Sequence, residues 1–170
     1  MPFDENYFSS HTYKDITFAR YSMYWWSNRF FATLARRYGR RGARLLEVGS
    51  GMGHLAGQLS AQFEAYGMDL NHWAVNKSKE AAEKASLQTA SAQELPFKNS
   101  AFNVVIIKHI VEHLPEPKKA IDEIGRVTEP GGILILATPN LGSLLKPWKG
   151  EKWIGYQDPT HISLKQPEEW

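Results

Sequence analysis

The chain has 170 residues, with 20 Lys and Arg against 18 Asp and Glu and a formal net charge of +2; this is length for one domain with a sizeable core, and a charge that singles out neither a nucleic acid nor a membrane as partner. It contains no cysteine, which excludes a disulfide framework and a cysteine nucleophile. The start, Met1-Pro-Phe-Asp-Glu, lacks the basic and apolar regions of a signal peptide, and no stretch approaches the roughly 18 consecutive apolar residues of a membrane span, so the cytoplasm is the expected address.

In chain order, Asp15 is placed to cap a helix running from Ile16 to Tyr38, with Gly39 as its stop. Ile16, Met23, Trp26, Phe30 and Leu34 give it one apolar stripe, while Phe18, Tyr21, Tyr24, Trp25 and Phe31 put aromatics on its other faces. Such a helix is either wedged between a sheet and a second layer or is a lid over an apolar substrate. Arg36, Arg37, Arg40, Arg41 and Arg44 read as its solvated basic end. Arg44 to Val48 is an apolar run ending in Gly49-Ser-Gly51-Met-Gly53, followed by His54 to Gln62 with Leu55 and Leu59 at helical spacing. A second strand, Phe63 to Met68, ends in Asp69, and Trp73 to Lys84 reads as a helix. A short strand near Leu87 to Thr89, a buried strand from Phe102 to Ile107, and an amphipathic helix from Pro117 to Val127 continue the alternation. Pro130-Gly-Gly132 turns the chain into a last apolar run, Ile133 to Ala137.

This alternation predicts an α/β fold, three-layer and doubly wound around a mostly parallel sheet. A single domain is expected, with an aromatic-rich helical cap over 1–42, a ligand-binding core over 43–140 and a substrate-side segment over 141–170. Ligands of such folds lie beyond the carboxyl ends of the strands, where strand order reverses. Those ends carry Glu47 and the glycine turn, Asp69, Ser91-Ala-Gln-Glu94, Lys108 to His113, and Thr138-Pro-Asn140. A dinucleotide fingerprint would need glycine at position 54, which is His54, and the third glycine comes early, at Gly53. Asp69 is suited to two adjacent ribose hydroxyls, while Glu47 would repel a pyrophosphate and favour a cationic group. The turn therefore suits a positively charged nucleoside better than a nicotinamide dinucleotide, and an NAD-dependent oxidoreductase is the weaker enzyme reading.

Glu47-Val-Gly49-Ser-Gly51-Met-Gly53 resembles the first motif of the class I S-adenosylmethionine-dependent methyltransferases, an acidic residue followed by G-x-G-x-G. The resemblance continues through Asp69, Ala92-Gln-Glu-Leu-Pro-Phe97, Phe102-Asn-Val-Val105, Glu112-His113-Leu114 and Arg126-Val-Thr-Glu-Pro-Gly-Gly132, over roughly residues 43 to 140, and is nearest to ubiquinone-biosynthesis-type small-molecule enzymes. It implies S-adenosyl-L-methionine as cofactor, with S-adenosyl-L-homocysteine as product. It also implies that Glu47, Gly49, Ser50, Gly51 and Gly53 approach the methionine moiety, and that Asp69 holds the ribose. Leu70 would pack on the adenine, Ala92 and Gln93 would edge its ring, and Lys108 would offer its backbone carbonyl. Ser91 and Asn103 depart from the pattern, standing where the family has aspartate.

His109-Ile-Val-Glu112-His113 also matches the H-x-x-E-H spacing of a zinc peptidase family. That motif needs both histidines on one face of a helix, and here it straddles a strand end closed by Pro115. Some quinone O-methyltransferases of this fold hold a divalent ion with acidic residues and a histidine in this segment. Here His109 occupies one of the acidic positions, and no metal ligand is assigned.

Beyond Asn140 the alternation stops, and Pro167-Glu-Glu-Trp170 resembles the first turn of a further helix, so the chain reads as truncated before a final strand pair. An exposed sheet edge or the aromatic helix would then be covered by a second copy, a homodimer. His161 and His113 are the candidate bases, with Tyr156 behind them. No Asn/Asp-Pro-Pro-aromatic run follows the fourth strand, which points to a small-molecule acceptor, with O, N and C targets open. The rival from another class is a non-catalytic module of the same fold that binds the cofactor or a partner protein.

Overall fold

The structure, a computed structural model, describes residues 17–144 and 146–170, without the side chain of Ile154. The elements follow as α1 (Met23–Tyr38), β1 (Arg44–Val48), α2 (His54–Leu59), β2 (Glu64–Asp69), α3 (His72–Ala81), β3 (Ser86–Thr89), β4 (Phe102–Lys108), a 3-10 turn (Val111–His113), α4 (Pro117–Val127) and β5 (Thr128–Ala137). Short helical turns follow at Lys146–Lys149, Gly150–Lys152, Ile154–Gln157 and Pro167–Glu169. The five strands form one sheet in the order β3-β2-β1-β4-β5, every neighbouring pair parallel. The chain steps outward from β1 to β3 and then returns to β4 beside β1, so the switch in strand order lies between β1 and β4.

Both faces of the sheet are covered, as the apolar strands require. On one face Leu45, Val104, Ile106 and Ile135 meet Phe31, Ala32 and Ala35 of α1 and Leu55 and Leu59 of α2. On the other, Leu46, Val48, Val105 and Ile107 meet Ala120, Ile124 and Val127 of α4. The expected α/β fold is therefore present, and its core helix α4 has the predicted bounds.

The N-terminal helix differs from expectation. It starts at Met23, because Tyr21 adopts φ 72 and Ser22 caps the helix, its hydroxyl accepting from the Trp25 amide at 3.1 Å. The expected cap Asp15 and Ile16 lie outside the described residues. The predicted stripe is largely the outer face, since Met23, Trp26 and Phe30 are 88%, 53% and 58% exposed. The buried face is Asn28, Phe31, Ala32 and Ala35. Small residues win there because alanine lets the helix axis approach a sheet surface already filled by branched side chains. At the other end of the core, β5 begins at Thr128 rather than Ile133. Thr128 pairs with Phe102 and Ile133 with Val104, so the Glu129–Gly132 stretch bulges out between them.

The 158–164 segment folds back over the 3-10 turn. The Ile162 and Ser163 amides donate to the Glu112 carbonyl at 3.0 and 2.9 Å, and the Ser163 hydroxyl donates to the Leu114 carbonyl at 2.6 Å. Among the described residues no helix is long and apolar enough to cross a membrane.

Candidate functional site

At the carboxyl ends of β1, β2 and β4 the sheet opens into a cavity of about 400 Å³. Its floor is the turn after β1. Gly49 has φ 78, in the left-handed region that favours glycine, and a Cβ there would meet the Ile110 side chain at 2.2 Å. The turn is fastened to β2 through Asp69, whose Oδ2 accepts the Gly51 amide at 2.8 Å and whose Oδ1 accepts the Asn71 amide at 2.8 Å. Burial raises the Asp69 pKa, and the backbone amides of Asn71, Gly51 and Leu70 oppose that rise.

Glu47 lies on the strand just before the turn and is 1% exposed, and among the described residues its Oε2 has no hydrogen-bond partner. Burial pushes its pKa up to about 7, against the opposing charge of Lys108 and the Ala56 amide. Ser50, also buried, leaves its hydroxyl without a hydrogen-bond partner among the described residues. Buried polar groups are normally satisfied, so two orphaned groups on one cavity wall mark a place for a polar ligand. Lys108 enters the site through its side chain. Nζ donates to Asn28 Oδ1 at 2.5 Å and sits 5.5 Å from the Tyr24 ring centre. Burial lowers the Lys108 pKa while Glu47 raises it.

Of the residues expected from sequence, Glu47, Gly49, Ser50, Gly51, Asp69, Leu70, Ala92, Gln93, Lys108 and His113 line this cavity, while Gly53 and His161 do not. Gly53 instead begins α2, close against Ser78. His161 stands behind His113, ring centres 4.7 Å apart. The base considered third, Tyr156, is half exposed, packs on Trp153 and is not in the lining. Ser91 lines the cavity with its hydroxyl accepting from the Gln93 amide at 3.2 Å. Asn103 serves the fold, its Oδ1 accepting the Arg44 amide at 2.9 Å.

The H-x-x-E-H residues do not share a helical face. His109 sits just past β4 with φ 54, and His113 lies in the following 3-10 turn. Burial holds the His113 pKa below the usual imidazole value, partly offset by the charge of Glu112. Phe18, Tyr24, Asn28, His54, Ile110, Leu114 and Ile162 are among the further lining residues and were not singled out as site residues. Phe18 stacks on His54 with ring centres 4.0 Å apart. A signal existed for Asn28, a carboxamide in an otherwise aromatic stretch; none existed for Ile162, brought in only by the folded-back segment.

Residues 46–136 match the family described as Methyltransferase domain. The chain is 30% identical over 102 residues to the phosphatidylethanolamine N-methyltransferase of Cereibacter sphaeroides, covering 56% of this chain and 50% of that protein. It is 31% identical over 120 residues to the chloroplastic tocopherol O-methyltransferase of Arabidopsis thaliana, covering 62% and 34%. The chain thus spans about a third to a half of the length of these relatives. Among solved structures, the YcgJ protein of Bacillus subtilis superposes with a TM-score of 0.68 at 22% identity, covering 84% of this chain and 64% of that one, a likeness of fold.

Proposed function

The chain belongs to the methyltransferase domain family, and from that premise we propose that it transfers the methyl group of S-adenosylmethionine, its cofactor, to a small-molecule acceptor. The observation that carries the proposal is the cavity wall itself. Among the described residues Glu47 Oε2 and the Ser50 hydroxyl are buried without hydrogen-bond partners, and a doubly anchored Asp69 lines the same cavity.

The bound cofactor supplies an electrophilic methyl group on a sulfonium. The residues of the chain then divide the remaining work. Glu47 is suited to the cofactor's ammonium group and the Lys108 side chain to its carboxylate, an acid and a base side by side for a zwitterion. This role of the side chain stands beside the backbone carbonyl expected of Lys108. Asp69 takes the ribose hydroxyls with its remaining lone pairs, and Leu70, Ala92 and Gln93 bound the adenine end. Phe18, Tyr24, Ile110, Leu114 and Ile162 form an apolar wall that excludes water and aligns the acceptor, the main demand of an in-line displacement. Of the two histidines expected as bases, His113 lines the cavity, while His161 reaches it only through His113.

The apolar wall favours an amphipathic, lipid-like acceptor, in keeping with two relatives whose names give lipids as acceptors, one methylated on nitrogen and one on oxygen. Calorimetric titration with S-adenosylhomocysteine tests the cofactor site. Saturable binding that is lost in Asp69→Ala supports it, and no binding by the unaltered chain overturns it.

A further inference from the structure

Past the end of β4, three proton-accepting groups converge. Glu112 is wholly buried, and neither of its carboxylate oxygens has a hydrogen-bond partner among the described residues. His109 Nδ1 lies 3.3 Å from Oε1 but out of hydrogen-bond alignment. His113 Nδ1 faces the Thr160 carbonyl at 3.2 Å and the Thr160 hydroxyl at 2.8 Å, and that hydroxyl is itself committed as donor to Asp158 Oδ1. His161 Nδ1 faces the Gly155 carbonyl at 2.8 Å. A ring nitrogen set against a carbonyl oxygen is the protonated one, so each neutral imidazole carries its lone pair on Nε2. Glu112, His113 and His161 each bring a ligand atom to within 4.8 Å of the others.

A wholly buried carboxylate that, among the described residues, accepts no hydrogen bond and pairs only with the exposed His109 at 3.3 Å is costly to bury. A cation supplies what is missing. We propose that Glu112, His113 and His161 bind a divalent transition-metal ion such as zinc. Two imidazoles and one carboxylate suit zinc and its neighbours, whereas magnesium and calcium take sets of oxygen ligands. Histidines fixed through Nδ1–H to a carbonyl are the usual outer bracing of metal-ligating imidazoles. The ligands are also held in place from far apart in sequence, since the Ile162 and Ser163 amides donate to the Glu112 carbonyl and the His161 amide donates to the Asp158 carbonyl at 3.1 Å. The set is not the H-x-x-E-H pair, because its third member comes from the folded-back segment.

Three protein ligands leave a coordination position open. Of the three ligands His113 lines the cavity, beside Ile162, while Glu112 and His161 do not, so an ion held there would stand at the cavity's edge and would polarise an acceptor oxygen or nitrogen brought to it. The histidines then act through the ion and not as free bases. This use rests on the methyl-transfer reading; the ion site itself does not.

The test uses the tag-free full chain, stripped of metal and titrated with cobalt(II) by visible absorption and with zinc by calorimetry. One equivalent of cobalt is expected to give ligand-field bands. Zinc affinity is expected to fall at least about a hundredfold in Glu112→Gln and in His161→Ala, given that losing even an outer-shell partner costs about 10–100-fold. His72→Ala, on α3, serves as the control that leaves affinity unchanged. Absence of cobalt bands, or equal zinc uptake by all variants, overturns the site. If Glu112→Gln fails to fold, His161→Ala alone decides. S-adenosylhomocysteine binding measured in parallel separates the two readings: its loss with metal binding intact removes the methyl-transfer reading, and the converse removes the ion.

Discussion

The Gly51 amide and the Asp69 carboxylate are joined at 2.8 Å, so the turn after β1 and the acid ending β2 form one rigid unit. Removing the carboxylate in Asp69→Ala also releases the Asn71 amide. Hydrogen bonds to a charged group contribute about 1.5–3 kcal/mol each. Affinity for S-adenosylhomocysteine is expected to fall by about 10–100-fold or more, and by less in Asp69→Asn, which keeps one side-chain oxygen. Calorimetry on the two variants measures both.

Glu47 makes stability depend on pH. Its folded pKa of about 7 lies above its ordinary 4.5, so the folded state holds the proton more tightly. The contribution of Glu47 to stability is then greatest below pH 4.5, declines as pH rises toward 7 and levels off above it, a loss on the order of 3 kcal/mol. Glu47→Gln should gain stability at pH 8 by up to that amount and little at pH 4.5, read from urea unfolding at the two pH values. Equal effects at both would show that Glu47 is not the group responsible.

The same carboxyl should control cofactor affinity. Binding the ligand's ammonium requires Glu47 ionised, so binding near pH 6 releases a proton, and affinity rises with pH up to about 7. Lys108 lowers the Glu47 pKa, so Lys108→Met should move this rise to higher pH. Titrations in buffers of different ionisation enthalpy report the proton released.

Gly53 is needed by the fold. Its φ is 73, and a Cβ there would meet Ser78 Cβ at 2.7 Å and Ala82 Cβ at 3.1 Å, both on the α3 side. Gly53→Ala should destabilise by about 2–4 kcal/mol, combining left-handed strain with overpacking. Its ligand affinity should stay within a few-fold where the protein is still folded. A melting curve and one titration at low temperature check the pair of outcomes.

Two adjacent phenylalanines of α1 should behave differently. Phe31 is 8% exposed and packs on the sheet, whereas Phe30 is 58% exposed. Phe31→Ala should cost about 3–5 kcal/mol, and Phe30→Ala should stay within about 0.5 kcal/mol. Denaturant midpoints of the two variants measure the contrast.

The sequence by itself determined the α/β class, the bounds of α4, the glycine turn and the acids Glu47 and Asp69, because each depends on local periodicity, on glycine's freedom or on position at a strand end. Which face of α1 is buried was decided only in the tertiary structure. Its aromatics satisfy several helical stripes at once, and the sheet surface selects the one with alanines at the contact. The partners of Lys108 and Glu112 were likewise invisible in one dimension. Asn28 reaches Lys108 from a preceding helix, and His161 comes beside His113 because amides of the 158–164 segment close onto the Glu112 carbonyl. Contacts between residues so distant along the chain depend on how the layers stack, and no local pattern of residues encodes that stacking.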